Sequence, residues 1–239
     1  MERERRQYVR FAFYRVDRAW RLLPQREREA GRRQVLDVVE RWNQRILLRT
    51  YSTLGTRGDC DFMLWQVSEN LDDFQSLASD LISTDMGGYL ELPYAYLSMT
   101  KHSMYVSDHT HEGQEGTRLL IAPGGAKYLF VYPFVKNRPW YTLPLAERQR
   151  MMSMHIALGH KYPTVKINTT YSFGLDDQEF VVAFESDYPS DFLDLVQEMR
   201  ETEASAYTER DVPIFTCVSM PMPEILDALR QESMQQAIV

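Results

Sequence analysis

Four side chains in the second half of the chain have the types and spacings that chemistry needs. His155 and His160 lie in RMMSMHIALGHKYP (150–163), a stretch that reads as one helix. Five residues at 100° per residue turn a helix by about 500°, so the two imidazoles point about 140° apart. They cannot form the same-face pair with which a helix grips zinc, and each has to be judged alone. Tyr132 and Lys136 stand four apart in the alternating stretch YLFVYPFVK (128–136). On a strand they share a face, roughly 13 Å apart at about 3.3 Å per residue.

These residues are positioned by a scaffold that the chain builds twice. Sliding the sequence along itself matches WRLLPQRER at Trp20 with WYTLPLAER at Trp140, an offset of 120. The tripeptide Thr-Tyr-Ser at Thr50 recurs at Thr170, and DFMLWQVSENLDDF aligns with EFVVAFESDYPSDF after a two-residue shortening. Each half reads as an aromatic-rich strand, a long amphipathic helix, two strands, a helix opened by Asp or Ser caps, and a closing strand. That order, βαββαβ twice, is ferredoxin-like. The predicted fold class is α+β: two such units packed sheet to sheet as a dimeric α+β barrel within one chain. The expected organisation is a first half over 1–106 without a cofactor, a linker over 107–127 and a ligand-binding second half over 128–239. A short helix follows MPMP at the end.

The duplication supplies an internal control. At the 120 offset His155 is matched by Val35, Tyr132 by Ala12 and Lys136 by Val16. A plain aliphatic therefore suffices for packing where His155 stands. All five histidines follow residue 100. Taken singly, these residues have ordinary readings. A helical histidine on an apolar face is usually a satisfied core residue, and His160 at a helix end serves the dipole. Tyr132 could be a core phenol, Lys136 a solvated strand end, and Met151, Met152 and Met154 core filler. Gly174 opens an acidic hairpin turn that lacks calcium-loop spacing. Together they describe an apolar slot with few polar handles, present in one half only. A lone neutral imidazole with no other nitrogen or sulfur ligand suits iron in a porphyrin, whose ring supplies the equatorial ligands. An ammonium suits a carboxylate on the porphyrin rim.

Composition narrows the classes. A net charge of −7 offers no basic excess for nucleic acid. No apolar run approaches membrane length, and the charged start has no apolar core of a secretory signal. Cys60 and Cys217 lack metal-ligand spacing and read as buried thiols in a reducing, cytoplasmic setting.

The stretch YPFVKNRPWYTLPLAERQRMMSMHIALGHKYP, with TTYSFGLDDQEFVVAFE and MRETEAS after it, resembles the chlorite dismutase superfamily, and within it the coproheme decarboxylase branch. The resemblance is close over about Arg118 to Ser219 and rests on fold alone before that. It implies that His155 is the proximal iron ligand and that Tyr132 and Lys136 are catalytic at the reacting propionates. It also implies that Arg118, Trp140 and Ile167 contact the porphyrin, that Glu203 lies behind the proximal histidine, and that the assembly is a homopentamer.

The implied reaction uses hydrogen peroxide to convert two propionates of iron-coproporphyrin III (coproheme) to vinyls, giving haem b. Tyr132 passes an electron inward and removes hydrogen from the propionate. A ferrochelatase is the implied transient partner. Chlorite-degrading members carry an arginine on the strand after the helix. Counting thirteen on from His155 reaches Asn168, and counting seven back from the turn at Gly174 reaches Ile167. The second count is preferred, because the first crosses a helix end where a deletion is absorbed. Neither residue is an arginine, which argues against chlorite chemistry. A third, actinobacterial branch takes a distal histidine from the interdomain loop; His109 and His111 lie in that loop here, although the expected register falls on Glu115. Two other readings stay open: a haem peroxidase or weak chlorite-degrading enzyme, and a non-catalytic haem-binding module.

Overall fold

The computed structural model describes residues 5–105 and 119–229. Arg118, His109, His111 and Glu115 lie outside the described residues. The first half runs β1 (Tyr8–Val16), α1 (Arg18–Leu22), α2 (Gln25–Asn43), β2 (Leu47–Ser52), β3 (Phe62–Ser68), α3 (Asp72–Ile82) and β4 (Leu90–Met99). The second runs β5 (Tyr128–Lys136), α4 (Arg138–Thr142), α5 (Leu145–Gly159), β6 (Lys166–Tyr171), β7 (Phe180–Ser186), α6 (Pro189–Arg200), β8 (Thr208–Arg210) and β9 (Phe215–Ser219), then α7 (Met222–Ala228). Strand order is β4-β1-β3-β2 in one half and β9-β5-β7-β6 in the other, the ferredoxin-like order twice. Pairs β2–β9 and β4–β6 join the two sheets edge to edge into one barrel, which leaves neither sheet a bare edge there.

Alternation decides which side chains go where. Val9, Phe11 and Phe13 from β1 meet Leu129 and Val131 from β5 inside the barrel, all at 0–1 % exposure. The intervening residues Ala12, Tyr14 and Val16 face α2, where Val35, Val38 and Trp42 form the apolar stripe. Residues Phe130 and Tyr132 of β5 face the helices of the second half in the same way. The last helix, α7, crosses back to lie on α2 and β2, burying Ile225 and Leu226 against the first half.

Three details differ from the sequence reading. The short helices α1 and α4 come from the repeated Trp motif itself: Asp17 and Asn137 cap them, and Pro24 and Pro144 start the long helices that follow. Neither α3 nor α6 has a side-chain cap; Leu71 and Tyr188 hold the cap positions. Asn70 Oδ1 accepts from the Asp72 N–H at 3.2 Å, and Pro189 opens α6 with its φ preset and no N–H to satisfy. The Thr-Tyr-Ser match is also out of structural register. Tyr51 stands opposite Met63 and Thr170 opposite Val181, so Thr170, not Tyr171, is the counterpart of Tyr51. One residue has been lost between α5 and β6. On a strand that flips the face each side chain takes.

Candidate active site

The site lies where α5 faces β5, and its second-half residues are best seen against their first-half equivalents. Trp140 and Trp20 are scaffold in both: each packs at a tilt on a tyrosine, Tyr207 or Tyr89, at 5.5 Å and 54°. The backbone N–H groups of Asn137 and Asp17 donate to the carbonyls of those same tyrosines, at 2.9 Å in each half. Size is exchanged around the tryptophan. The first half puts Gly31 and Met86 where the second puts Met151 and Ala204. A Cβ on Gly31 would stand 2.6 Å from the Trp20 ring.

Lys136 enters this frame where the first half has Val16. Its side chain is buried; Nζ donates to the Ala204 carbonyl at 2.6 Å and lies 4.7 Å over the Trp140 ring. Burial lowers its pKa to about 8, and Glu179 opposes that shift. The Glu179 carboxylate accepts the Lys136 backbone N–H at 2.8 Å and the Tyr141 hydroxyl at 2.5 Å. Asp61 accepts the Val16 N–H at 2.7 Å, so the carboxylate-to-strand bond is common to both halves and only Tyr141 is added. Comparing the two halves at this position would have revealed Glu179 in the sequence.

Four residues earlier on the same face, Tyr132 is buried on Phe184, with rings 6.0 Å apart and nearly parallel. Burial, then the charge of Asp211, raises its phenol pKa, while Arg200 opposes. His155 faces inward from α5, half-buried. Burial first and the Lys136 ammonium second hold its pKa down to about 4, so the imidazole is neutral at physiological pH. Its Nδ1 is buried and has no hydrogen-bond partner, an atom that costs stability unless something coordinates or bonds it. No cluster of three or more metal-ligating side chains occurs among the described residues, so His155 would act as a single protein ligand.

The surroundings of the imidazole are incompletely closed. On α2 Gly31, Val35, Val38 and Trp42 are buried, whereas on α5 only Met151 is. Phe134, Val182, Leu158 and Met199 are part-covered apolar residues beside Tyr132, and Ile167 is 37 % exposed. An orphaned neutral nitrogen against half-covered apolar surface fits a flat, hydrophobic ligand with a metal centre. Met154 points outward at 55 % exposure, so of the three methionines only Met151 and Met152 pack near Trp140.

Strand β6 separates the two distal candidates. Ile167 pairs with Phe184 and faces the helices, close under Gly159 at the end of α5. Asn168 pairs with Ala183, points into the barrel and donates to Glu185 at 2.9 Å. Glu203 makes no hydrogen bond to His155 Nδ1. It accepts both its hydrogen bonds, at 2.8 Å each, from Arg150 one turn and a half earlier on α5, which leaves the imidazole Nδ1 alone. His160 is the exposed cap residue of α5, away from this surface.

Comparison with known proteins gives the family and the fold. The family model for chlorite dismutase matches residues 28–220, which extends well into the first half. The chain is 34 % identical over 167 residues, 70 % of each protein, to a coproheme decarboxylase from Mycolicibacterium smegmatis. Among solved structures, a variant of chlorite dismutase from Candidatus Nitrospira defluvii superposes with a TM-score of 0.85 at 27 % identity, covering 94 % of this chain and 95 % of that one. A haem-binding protein from Thermus thermophilus matches at 0.83 and 25 % identity, covering 93 % and 94 %. The chain belongs to the chlorite dismutase family, and it has that family's duplicated ferredoxin-like fold.

Proposed function

We propose that this protein is a hydrogen-peroxide-dependent coproheme decarboxylase that forms haem b. The observation that carries the reading is the neutral, unpartnered imidazole of His155 on the same surface as Tyr132 and Lys136, in a half whose sister has Val35, Ala12 and Val16 there. The relative from Mycolicibacterium smegmatis supports the choice of reaction.

His155 would hold the iron, and Lys136 would meet a propionate carboxylate from its seat over Trp140. Arg118 is assigned to a second carboxylate by resemblance, with Trp140 and Ile167 bordering the ring. When bound, the iron of the substrate supplies the oxidising power of peroxide. Tyr132 gives up its phenolic hydrogen and recovers one from the propionate β-carbon. Each round consumes one peroxide and one proton: R–CH2CH2–COO⁻ + H2O2 + H⁺ gives R–CH=CH2, CO2 and two waters. Burial favours this use of Tyr132, because a desolvated phenol keeps its proton until it is oxidised. Ile167 places no fixed cation over the ring, so chlorite should release negligible oxygen, and fast sustained turnover on an oxygen electrode would reverse the choice of reaction. The reading carries with it a cytoplasmic homopentamer supplied with coproheme by a ferrochelatase. Among the described residues no helix is long and apolar enough to cross a membrane.

The test is a spectral titration with coproheme, then peroxide, then chromatography of the extracted porphyrin. Stoichiometric appearance of haem b is expected. Binding with no vinyl formation would make the protein a haem-binding module or a peroxidase instead.

A further inference from the structure

A second polar asymmetry lies on the other side of the same sheet. Glu185 of β7 is 1 % exposed and points into the barrel, opposite Leu129 and Lys166 on its neighbouring strands. The register equates it with Val67, which stands opposite Val9 and Leu47 in the first half. Packing therefore needs no carboxylate at this place, and burying one is costly unless every oxygen is bonded. Here they are. Oε2 accepts from the backbone N–H groups of Gly124, at 2.7 Å, and Gly125, at 3.0 Å, and Oε1 accepts from Asn168 Nδ2 at 2.9 Å.

The segment that Glu185 grips is shaped for it. Gly125 has φ 79°, and a Cβ on Gly124 would stand 3.1 Å from Lys166 Cδ and 3.4 Å from Glu185 Oε2. Two successive glycines thus turn their amides toward one anion, a backbone nest. The rest of the segment is fastened as well: Ile121 N–H donates to Gln7 at 2.6 Å, and Lys166 Nζ donates to the Ala122 carbonyl. Lys166 and Asn168 flank Ile167, the residue of β6 that faces the opposite way, toward the slot. Both neighbours of Ile167 are therefore tied to the connecting segment, one directly and one through Glu185.

We propose that Glu185 is a positioning residue that clamps the Gly124–Gly125 turn to β6, holding the connecting segment and the Ile167 wall of the porphyrin slot as one unit. This rests on the slot being a porphyrin site. The predicted consequence is selective: releasing the clamp weakens coproheme binding and leaves the chemistry at saturation intact.

Three variants of the full chain separate the outcomes. Glu185→Val takes the sister residue and strands three donors; Gly125→Ala strains the nest from the surface and leaves the barrel interior untouched, in case the first fails to fold. Glu185→Gln keeps an acceptor for the two amides, and Asn168 can turn its carbonyl to the new NH2. In the ligand-free protein, hydrogen exchange across 119–127 should rise roughly tenfold in Glu185→Val and Gly125→Ala, as expected for loss of bonds to a charged acceptor, and stay near wild type in Glu185→Gln. The KM for coproheme should rise roughly tenfold in the first two with kcat unchanged, a displacement effect without loss of a reacting group. Unchanged exchange in both disrupting variants overturns the clamp. Faster exchange with unchanged KM overturns its role at the slot. If the variants show the exchange pattern but the wild type never converts coproheme, the decarboxylase reading is defeated and the clamp stands.

Discussion

The two halves share a strand order, a tilted Trp–Tyr contact of equal geometry and a carboxylate bonded to the end of the first strand, yet only one leaves its helix face part-open. In the first half α2 is sealed by Val35, Val38 and Trp42, and α7 comes from the far end of the chain to lie over it. In the second, α5 buries only Met151, and its inner face offers His155 beside part-covered Phe134, Val182 and Met199. A duplicated fold can divide labour in this way. One copy keeps the apolar solution, while the other replaces Ala, Val and Val with Tyr, Lys and His and takes on polar groups that cost stability where they stay unpartnered, as His155 Nδ1 does.

The largest test of that division is to make the second half resemble the first. His155→Val should abolish the imidazole-ligated ferric spectrum of added coproheme. It should also raise the stability of the ligand-free protein by about 1 kcal/mol, since an unpartnered buried nitrogen is removed. A variant that binds coproheme with the wild-type spectrum would mean that another group is the ligand. His160→Ala should leave the spectrum unaltered.

Next comes Tyr132→Phe, which keeps the ring on Phe184 and removes only the O–H. Binding should fall by no more than a hydrogen bond, about 0.5–1.5 kcal/mol, while vinyl formation is lost. Mass spectrometry of the extracted porphyrin decides; haem b at the wild-type rate would reduce Tyr132 to a core residue.

The reverse graft probes the sealed half. Val35→His places an imidazole in a closed layer with no acceptor, so denaturant melts should show a loss of about 1–3 kcal/mol and coproheme binding should not gain a second site. Two bound porphyrins per chain would show that the first half was closed by one side chain alone.

The effect confined to one pH window is electrostatic. Lys136 has a folded pKa lowered from 10.5 to about 8, chiefly by burial. Between those values the unfolded chain holds more protons than the folded one, so its contribution to stability improves as pH rises from about 8 to 10.5 and is level below 8. Replacing Lys136 with the sister valine should remove that rise, at most about 1.4 kcal/mol per pH unit. Parallel pH–stability curves for the two proteins would place the ammonium in solvent.

Much of this is legible without coordinates. β1 and β5 span the stretches that the sequence pattern gives them, although both faces are covered: alternate side chains go into the barrel and under the helices. The asymmetry of His155, Tyr132 and Lys136 needs only the 120 offset. The caps of α3 and α6 escape such a reading, because Leu71 and Tyr188 take positions that side-chain chemistry alone would give to a neighbouring Asp or Ser. The resemblance puts Glu203 toward His155, but Arg150, five residues earlier on α5, offers it a charged partner that a neutral imidazole cannot match.

From the amino-acid sequence alone it follows that the chain is a tandem of one βαββαβ unit, and that the second copy carries the polar groups. Periodicity and self-similarity are one-dimensional properties, and they survive without knowledge of contacts. The count back from Gly174 already favours Ile167 over Asn168, and two further features wait for the tertiary structure: α7 returns to seal the first half, and Glu185 reaches across to Gly124 and Gly125. Each of those two is a meeting of segments far apart in the chain. No local pattern encodes such a meeting, because its free energy is gained only when both partners are already in place.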